Sequence, residues 1–231
     1  MRSKRIAALL LAALTALALC GCGNDKAEKT ESADMTIRPV DFTQEEAALT
    51  ELLGLEMGNY RIYDFQLGEN SGVQSLRLTA YELADNGWRD IAMEVQPVSE
   101  AGGRVALTFG RMTDGVKTAV QSASGTSSNF FTPVPEDDVS AMACATSMLT
   151  SSAAIVADQE IPLAIQIVTA KGQINSYDVQ YFGMPREYAK HGYEHVYAIT
   201  VMFSQKPSDE LVRAAAPGIP QEPSAEPSPE A

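Results

Sequence analysis

The feature that most constrains this chain is a change of hydrophobic period at Gly54. Before it, Thr43 and Glu46 stand at capping-box spacing. Ala47, Ala48, Leu49, Leu52 and Leu53 then form one apolar side, which predicts a short helix over Thr43–Leu53. After it the apolar residues recur at every second position. Ile91, Met93 and Val95 alternate with Ala92 and Glu94, and Val105, Leu107 and Phe109 with Ala106 and Thr108. Val116, Thr118 and Val120 follow, then Ile161 to Ile167, Tyr177 to Tyr181 and Tyr197 to Phe203. Earlier candidates lie at 60–67 and 76–83. Asp85-Asn86-Gly87, Thr113-Asp114-Gly115 and Lys171-Gly172 sit between such runs, where Gly or Asn suits tight hairpins. Residues 138–157 fit a helix or a strand, and their surroundings favour the strand. The spacing predicts a mainly β chain, an antiparallel β-sandwich of about eight strands with one short N-terminal α-helix docked on it.

The ends read differently. Arg2, Lys4 and Arg5 precede an apolar run from Ile6 to Leu19, broken only by Thr15. That run is too short for the ~30 Å of a bilayer core and suits a secretory signal peptide. It ends in Leu19-Cys20-Gly21-Cys22-Gly23-Asn24, which resembles the lipobox of bacterial lipoproteins. Cys22, with Gly21 before it and Leu19 three back, fits that pattern. Cys20, preceded by the bulky Leu19, is the alternative register and departs from it. The resemblance covers the leader alone. It implies cleavage after residue 21, acylation of Cys22, and a protein held by lipid on the extracytoplasmic face of the cell membrane. On that reading residues 22–36 are a lipidated flexible tether and 37–205 the folded domain. Residues 206–231, with Pro207, Pro217, Pro220, Pro223, Pro227 and Pro229, read as a disordered tail.

Composition excludes several functions. The formal charge is −13, and loss of Arg2, Lys4 and Arg5 with the leader takes it to −16. A chain that acidic, without a basic stripe, does not suit nucleic acid, whose binding needs Lys or Arg to displace counterions. Three Cys, two of them in the leader, exclude a disulfide scaffold.

Two His remain for chemistry, and both fall in His191-Gly192-Tyr193-Glu194-His195. This string is similar to the H-x-x-E-H signature of inverzincin metalloproteases, in which two His on one helical turn bind zinc and the Glu activates water. Here Gly192 interrupts the motif and a period-two run follows it at once. On a strand, Glu194 and His195 point to opposite faces. His191 then reads as an exposed loop residue and His195 as a strand-edge histidine. Cys144, among Met142, Ala143, Ala145 and Thr146, reads as a small buried hydrophobe. The Ser122–Ser128 cluster reads as a loop, and Glu136-Asp137-Asp138 as a solvated turn. Trp88 with Tyr60, Tyr63, Tyr81 and Tyr193 forms a sugar-stacking platform if these rings share a face, and packing residues if they do not.

Together these features lead us to expect a non-enzymatic binding or interaction module without a cofactor. Its partners would be the membrane, through the lipid, and a protein or glycan of the envelope. The alternatives are a zinc-dependent hydrolase built on His191, Glu194 and His195, and a structural envelope spacer. The anchor is directly testable. Cys22→Ser should leave export intact, abolish lipid labelling and move the protein from the membrane to the soluble fraction, since stable anchoring needs two acyl chains or more. The same result from Cys20→Ser, with Cys22→Ser inert, would move the cleavage register.

Overall fold

The computed structural model describes residues 35–215, apart from 53, 54, 56, 57, 69, 86, 99, 100, 124, 134 and 136. The leader with Cys20 and Cys22, residues 23–34 and residues 216–231 lie outside the described residues. In chain order the strands are β1 (Thr36–Pro39), β2 (Tyr60–Gln66), β3 (Ser75–Ala84), β4 (Gly87–Pro97), β5 (Gly102–Thr108) and β6 (Val116–Ser122). They continue with β7 (Gly125–Phe131), β8 (Ala143–Met148), β9 (Ala153–Ala154), β10 (Glu160–Thr169) and β11 (His195–Ser204). The helices are α1 (Gln44–Leu52), α2 (Pro185–Ala189) and α3 (Ser208–Ala215), with 3-10 turns at Met112–Asp114 and Val179–Gly183. Two antiparallel sheets result, one ordered β7-β6-β5-β2-β1-β9 and the other β4-β3-β11-β10-β8. The chain is a β-sandwich.

The inner faces meet through Tyr63, Phe65, Val105, Leu107, Val116 and Val120 on the six-stranded side and Leu76, Leu78, Ile199, Val201 and Phe203 on the five-stranded side. Phe65 and Phe203 touch across the layers, ring centroids 5.1 Å apart. Burying side chains of this size contributes about 1.5–3 kcal/mol each, the main favourable term here. All ten residues of β11 are buried. Its second face is covered by the connection from β10 to β11, whose 3-10 turn packs on β10, while α3 packs on β4 with Leu211 buried.

Polar groups also join the layers. The buried amide of Gln166 accepts from the Met112 N–H at 2.7 Å and donates to the Gly110 carbonyl at 3.0 Å and Thr146 Oγ1 at 2.8 Å. One β10 side chain thus holds the β5–β6 connection and β8. The Tyr63 hydroxyl donates to the Leu163 carbonyl at 3.0 Å, and burial holds this phenol well above its usual pKa range. Thr118 of β6 donates to Glu94 of β4 at 2.6 Å.

Local chemistry explains the agreements with the sequence. Thr43 and Glu46 form a reciprocal cap, the Thr43 N–H donating to Glu46 Oε2 at 2.9 Å and the Glu46 N–H to Thr43 Oγ1 at 3.3 Å. Asp85 takes φ 54° in the β3–β4 turn, and Gly115 takes φ 124° on leaving the 3-10 turn between β5 and β6.

Other expectations are corrected. Among the described residues there are eleven strands, not about eight, because β1, β7 and β9 carry little apolar signal. The Ser-rich stretch read as a loop, Ser122–Ser128, holds the start of β7, an edge strand that faces solvent and has no need of alternation. Residues 177–181, read as a strand, run instead into the 3-10 turn Val179–Gly183, capped by the Asp178 side chain. Lys171-Gly172 therefore opens a long connection and not a hairpin. The run Ile161 to Ile167 is split by an irregularity between Pro162 and Ala164, so that Ile161 pairs with Val201 but Ile165 with Ala198, on the opposite face. Helix α1 buries no residue. Leu49 and Leu52 are 57% and 82% exposed, and the docking is by Thr50 Oγ1 to the Tyr60 hydroxyl at 2.8 Å. The tail boundary at 206 moves as well, because Ser208–Ala215 form a helix whose Leu211 is buried.

Gln166→Leu should keep the fold and lower its stability by about 2–4 kcal/mol, since each unsatisfied buried group costs roughly 1–3 kcal/mol. Urea unfolding should show a lower midpoint at unchanged slope.

Candidate functional site

The outer face of the six-stranded sheet is covered near Tyr60 by Phe42 and Thr50, and beyond that patch the register of β1, β2, β5 and β6 builds a polar row. Arg38 of β1 pairs with Asp64 of β2, Asp64 with Arg104 of β5, and Arg104 with Gln121 of β6. All four point away from the core because their strand neighbours Ile37, Tyr63, Phe65, Val105 and Val120 point into it. The row borders a groove of about 620 Å³, completed by Thr36, Gln66 and the backbone of Ala101–Gly103.

Beneath the groove two successive glycines let the backbone and the inward Phe65 ring close up. A Cβ on Gly103 would lie 2.4 Å from the Gln121 carbonyl oxygen and 2.7 Å from the Phe65 ring, and one on Gly102 would lie 2.9 Å from the Phe65 carbonyl oxygen. Strand and ring approach each other closely there, and the rim residues stand above them.

The electrostatics are asymmetric. Arg104 Nε donates to Asp64 at 2.9 Å. Arg38, exposed on the neighbouring strand, makes no ion pair among the described residues. Glu46 of α1 lies within reach of the field of Arg104. Its carboxyl is held below its usual range, first by the Thr43 N–H and hydroxyl and in smaller part by that guanidinium.

A second concave region lies where the edge strands β4 and β7 face each other. A groove of about 230 Å³ is lined by Phe65, Gln96, Val98, Val120 and Ser127, beside a cavity of about 30 Å³ bordered by Glu94, Thr118, Asn129 and Phe131. Gln96 Nε2 bridges the seam, 3.0 Å from Glu94 Oε1 and 2.7 Å from Ser127 Oγ. These bonds use the polar atoms of the seam to hold the edges together.

The residues singled out in the sequence are dispersed. His191 Nε2 bonds the Tyr177 hydroxyl at 2.7 Å, and its ring stacks on Tyr193. Glu194 accepts from the Thr169 hydroxyl and from the Ala170 N–H. His195 Nδ1 lies 3.2 Å from Glu82, whose other oxygen binds Arg89. The three side chains thus serve three separate local contacts. Among the described residues, no three His, Cys, Asp or Glu are grouped to hold a metal. Trp88 stacks on Phe182 at 5.1 Å and Tyr81 is buried beside the same ring. Tyr60, on the other sheet, lies under Phe42 and Thr50. These rings pack the fold and share no open platform. Cys144, read as buried, is exposed on the edge strand β8.

Sequence reasoning missed Arg38, Arg104 and Gln121. Each stands in the polar phase of its strand, but only the pairing of four strands, distant in sequence, sets them in one row. No protein-family model, no curated protein and no solved structure matches this chain.

The Glu194 contacts give a pH prediction. The Thr169 hydroxyl is the first cause of a lowered Glu194 pKa, with backbone N–H groups adding to it. A lowered folded value stabilises the fold above the ordinary 4.5, and that contribution is lost as pH falls through the folded value. Thr169→Val should shift the Glu194 carboxyl titration, followed by NMR, upward toward 4.5.

Proposed function

We propose that this protein is a lipid-anchored, extracytoplasmic binding module without enzymatic activity, and that the Arg38–Asp64–Arg104–Gln121 groove is its ligand site. The observation that carries the reading is a concave surface lined by converging side chains on the solvent face of a rigid sheet. Sites borne on strands hold their geometry better than sites on loops. The side chains offer donors and acceptors in quantity, while the one carboxylate in the row is engaged by Arg104. A groove of this size favours a binder over a spacer. Among the described residues no helix is long and apolar enough to cross a membrane. Membrane attachment is assigned to Cys22, and the module needs no cofactor and no nucleic acid.

The test is retention on the envelope. Lipidated full-length protein is reconstituted into phosphatidylcholine vesicles and sedimented through purified cell-wall polymer. Wild type should be retained, and Arg104→Ala with Gln121→Ala should lower retention by about tenfold or more, the loss of one or two charge-assisted bonds. Retention unchanged in that double variant would remove the groove from the function.

A further inference from the structure

We infer that the groove receives an oxyanion, carboxylate or phosphate, on a hydroxyl-rich ligand, that is, an acidic glycan, with Arg38 and Arg104 closing on the anion from two sides. The inference rests on the binding-module reading above. Arg38 and Arg104 occupy one cross-strand row with a single strand between them. Strand spacing therefore sets their Cα atoms roughly 10 Å apart, a span that two long side chains close over one small anion. Arg104 spends its Nε on Asp64, which fixes the guanidinium plane and leaves its two terminal amino groups unspent. Arg38 has its whole fork free among the described residues. Such forks match the paired oxygens of carboxylate and phosphate.

The rest of the rim specifies a hydroxylated carrier. Gln66, Gln121 and Thr36 are neutral groups that both donate and accept, the complement of sugar hydroxyls. Gly102, in the outward phase with Arg104 and opposite Gln66, raises no side chain over the groove floor. A flat anionic bilayer is a poorer partner. It would meet Glu45 and Glu46 of α1 as it approached Arg104, whereas a small ligand enters without facing them. The mature charge of −16 repels an extended anionic surface in the same way.

The experiment titrates the full-length lipidated protein, in phosphatidylcholine vesicles, with three probes: a galacturonate oligosaccharide, a glycerol phosphate oligomer and a neutral malto-oligosaccharide. At least one acidic probe should bind, with affinity falling as salt is raised, and the neutral probe should bind at least roughly tenfold more weakly. Which acidic probe wins identifies carboxylate or phosphate. Arg38→Gln, a surface change that should leave circular dichroism untouched, should weaken the acidic probe by roughly tenfold. Equal binding of neutral and acidic probes would overturn the inference, as would indifference to Arg38→Gln. Engagement of phosphatidylglycerol vesicles in place of the saccharides would also overturn it. Envelope retention separates the two levels. If retention depends on Arg104 and Gln121 but not on Arg38, and acidic probes do not bind, the oxyanion inference fails while the groove stands. If retention ignores all three, the groove reading fails with it.

Discussion

A strand whose ten residues are all buried has to be covered on both sides, and β11 is that strand. One side is met by the six-stranded sheet through Phe203, Val201 and Ile199. The other is met by the long connection from β10, whose aromatic residues Phe182 and Tyr188 close over Trp88 and Tyr81. The five-stranded sheet consequently lies in the middle of three layers, while among the described residues the outer face of the six-stranded sheet is covered mainly near Tyr60, by Phe42 and Thr50. That asymmetry decides which surface is open to a ligand. The sheet whose outer face is covered only in part is free to carry a polar row beyond Tyr60, and its inner face supplies the rigidity that holds the row in place.

Rigidity matters because the groove works through long side chains. Arginine and glutamine lose rotamer freedom on binding, and fixing part of that freedom beforehand lowers the loss. Asp64 does so for Arg104, and strand pairing does so for every Cα in the row. The same logic holds inside the molecule. Gln166 and Glu94 are polar groups in apolar surroundings, and each reaches partners on more than one strand, so a displaced sheet would break several bonds at once.

Much of this architecture was legible where a residue's fate depended on near neighbours in the chain. The cap of α1, the positive φ at Gly115, and the strands β2, β3, β10 and β11 follow from local chemistry. One miss was local: residues 177–181 alternate like a strand, but the Asp178 side chain accepts from the Gln180 N–H and closes a turn first. The others depend on distant partners. In β4 the apolar residues Ile91, Met93 and Val95 lie opposite the inward phase, since Glu94 pairs with the inward Leu78 and bonds Thr118 across the core. Tyr60 and Trp88 share a residue class but fall on different sheets. The groove itself was invisible for the same reason, because its members are 17 to 40 residues apart in successive strands, from Gln121 back to Arg104 and from Arg104 back to Asp64.

Glu94 has a bearing on how neighbouring molecules meet. Strand β4 ends one sheet with unpaired backbone groups, a template onto which another chain's strand can add. A carboxylate turned inward from that edge, the register shift between Ala80 and Tyr81, and Pro97 at the strand's end all spoil the template. An added strand would have to follow an interrupted ladder and sit beside a charge that is already committed to Thr118. The opposing edge, β7, has none of these guards: its ladder with β6 is unbroken from Gly125 to Phe131, it carries no charge or proline, and Phe130 is 63% exposed. The lateral seam therefore sets a guarded edge against a permissive one, and of these two it is β7 that offers another strand the better template.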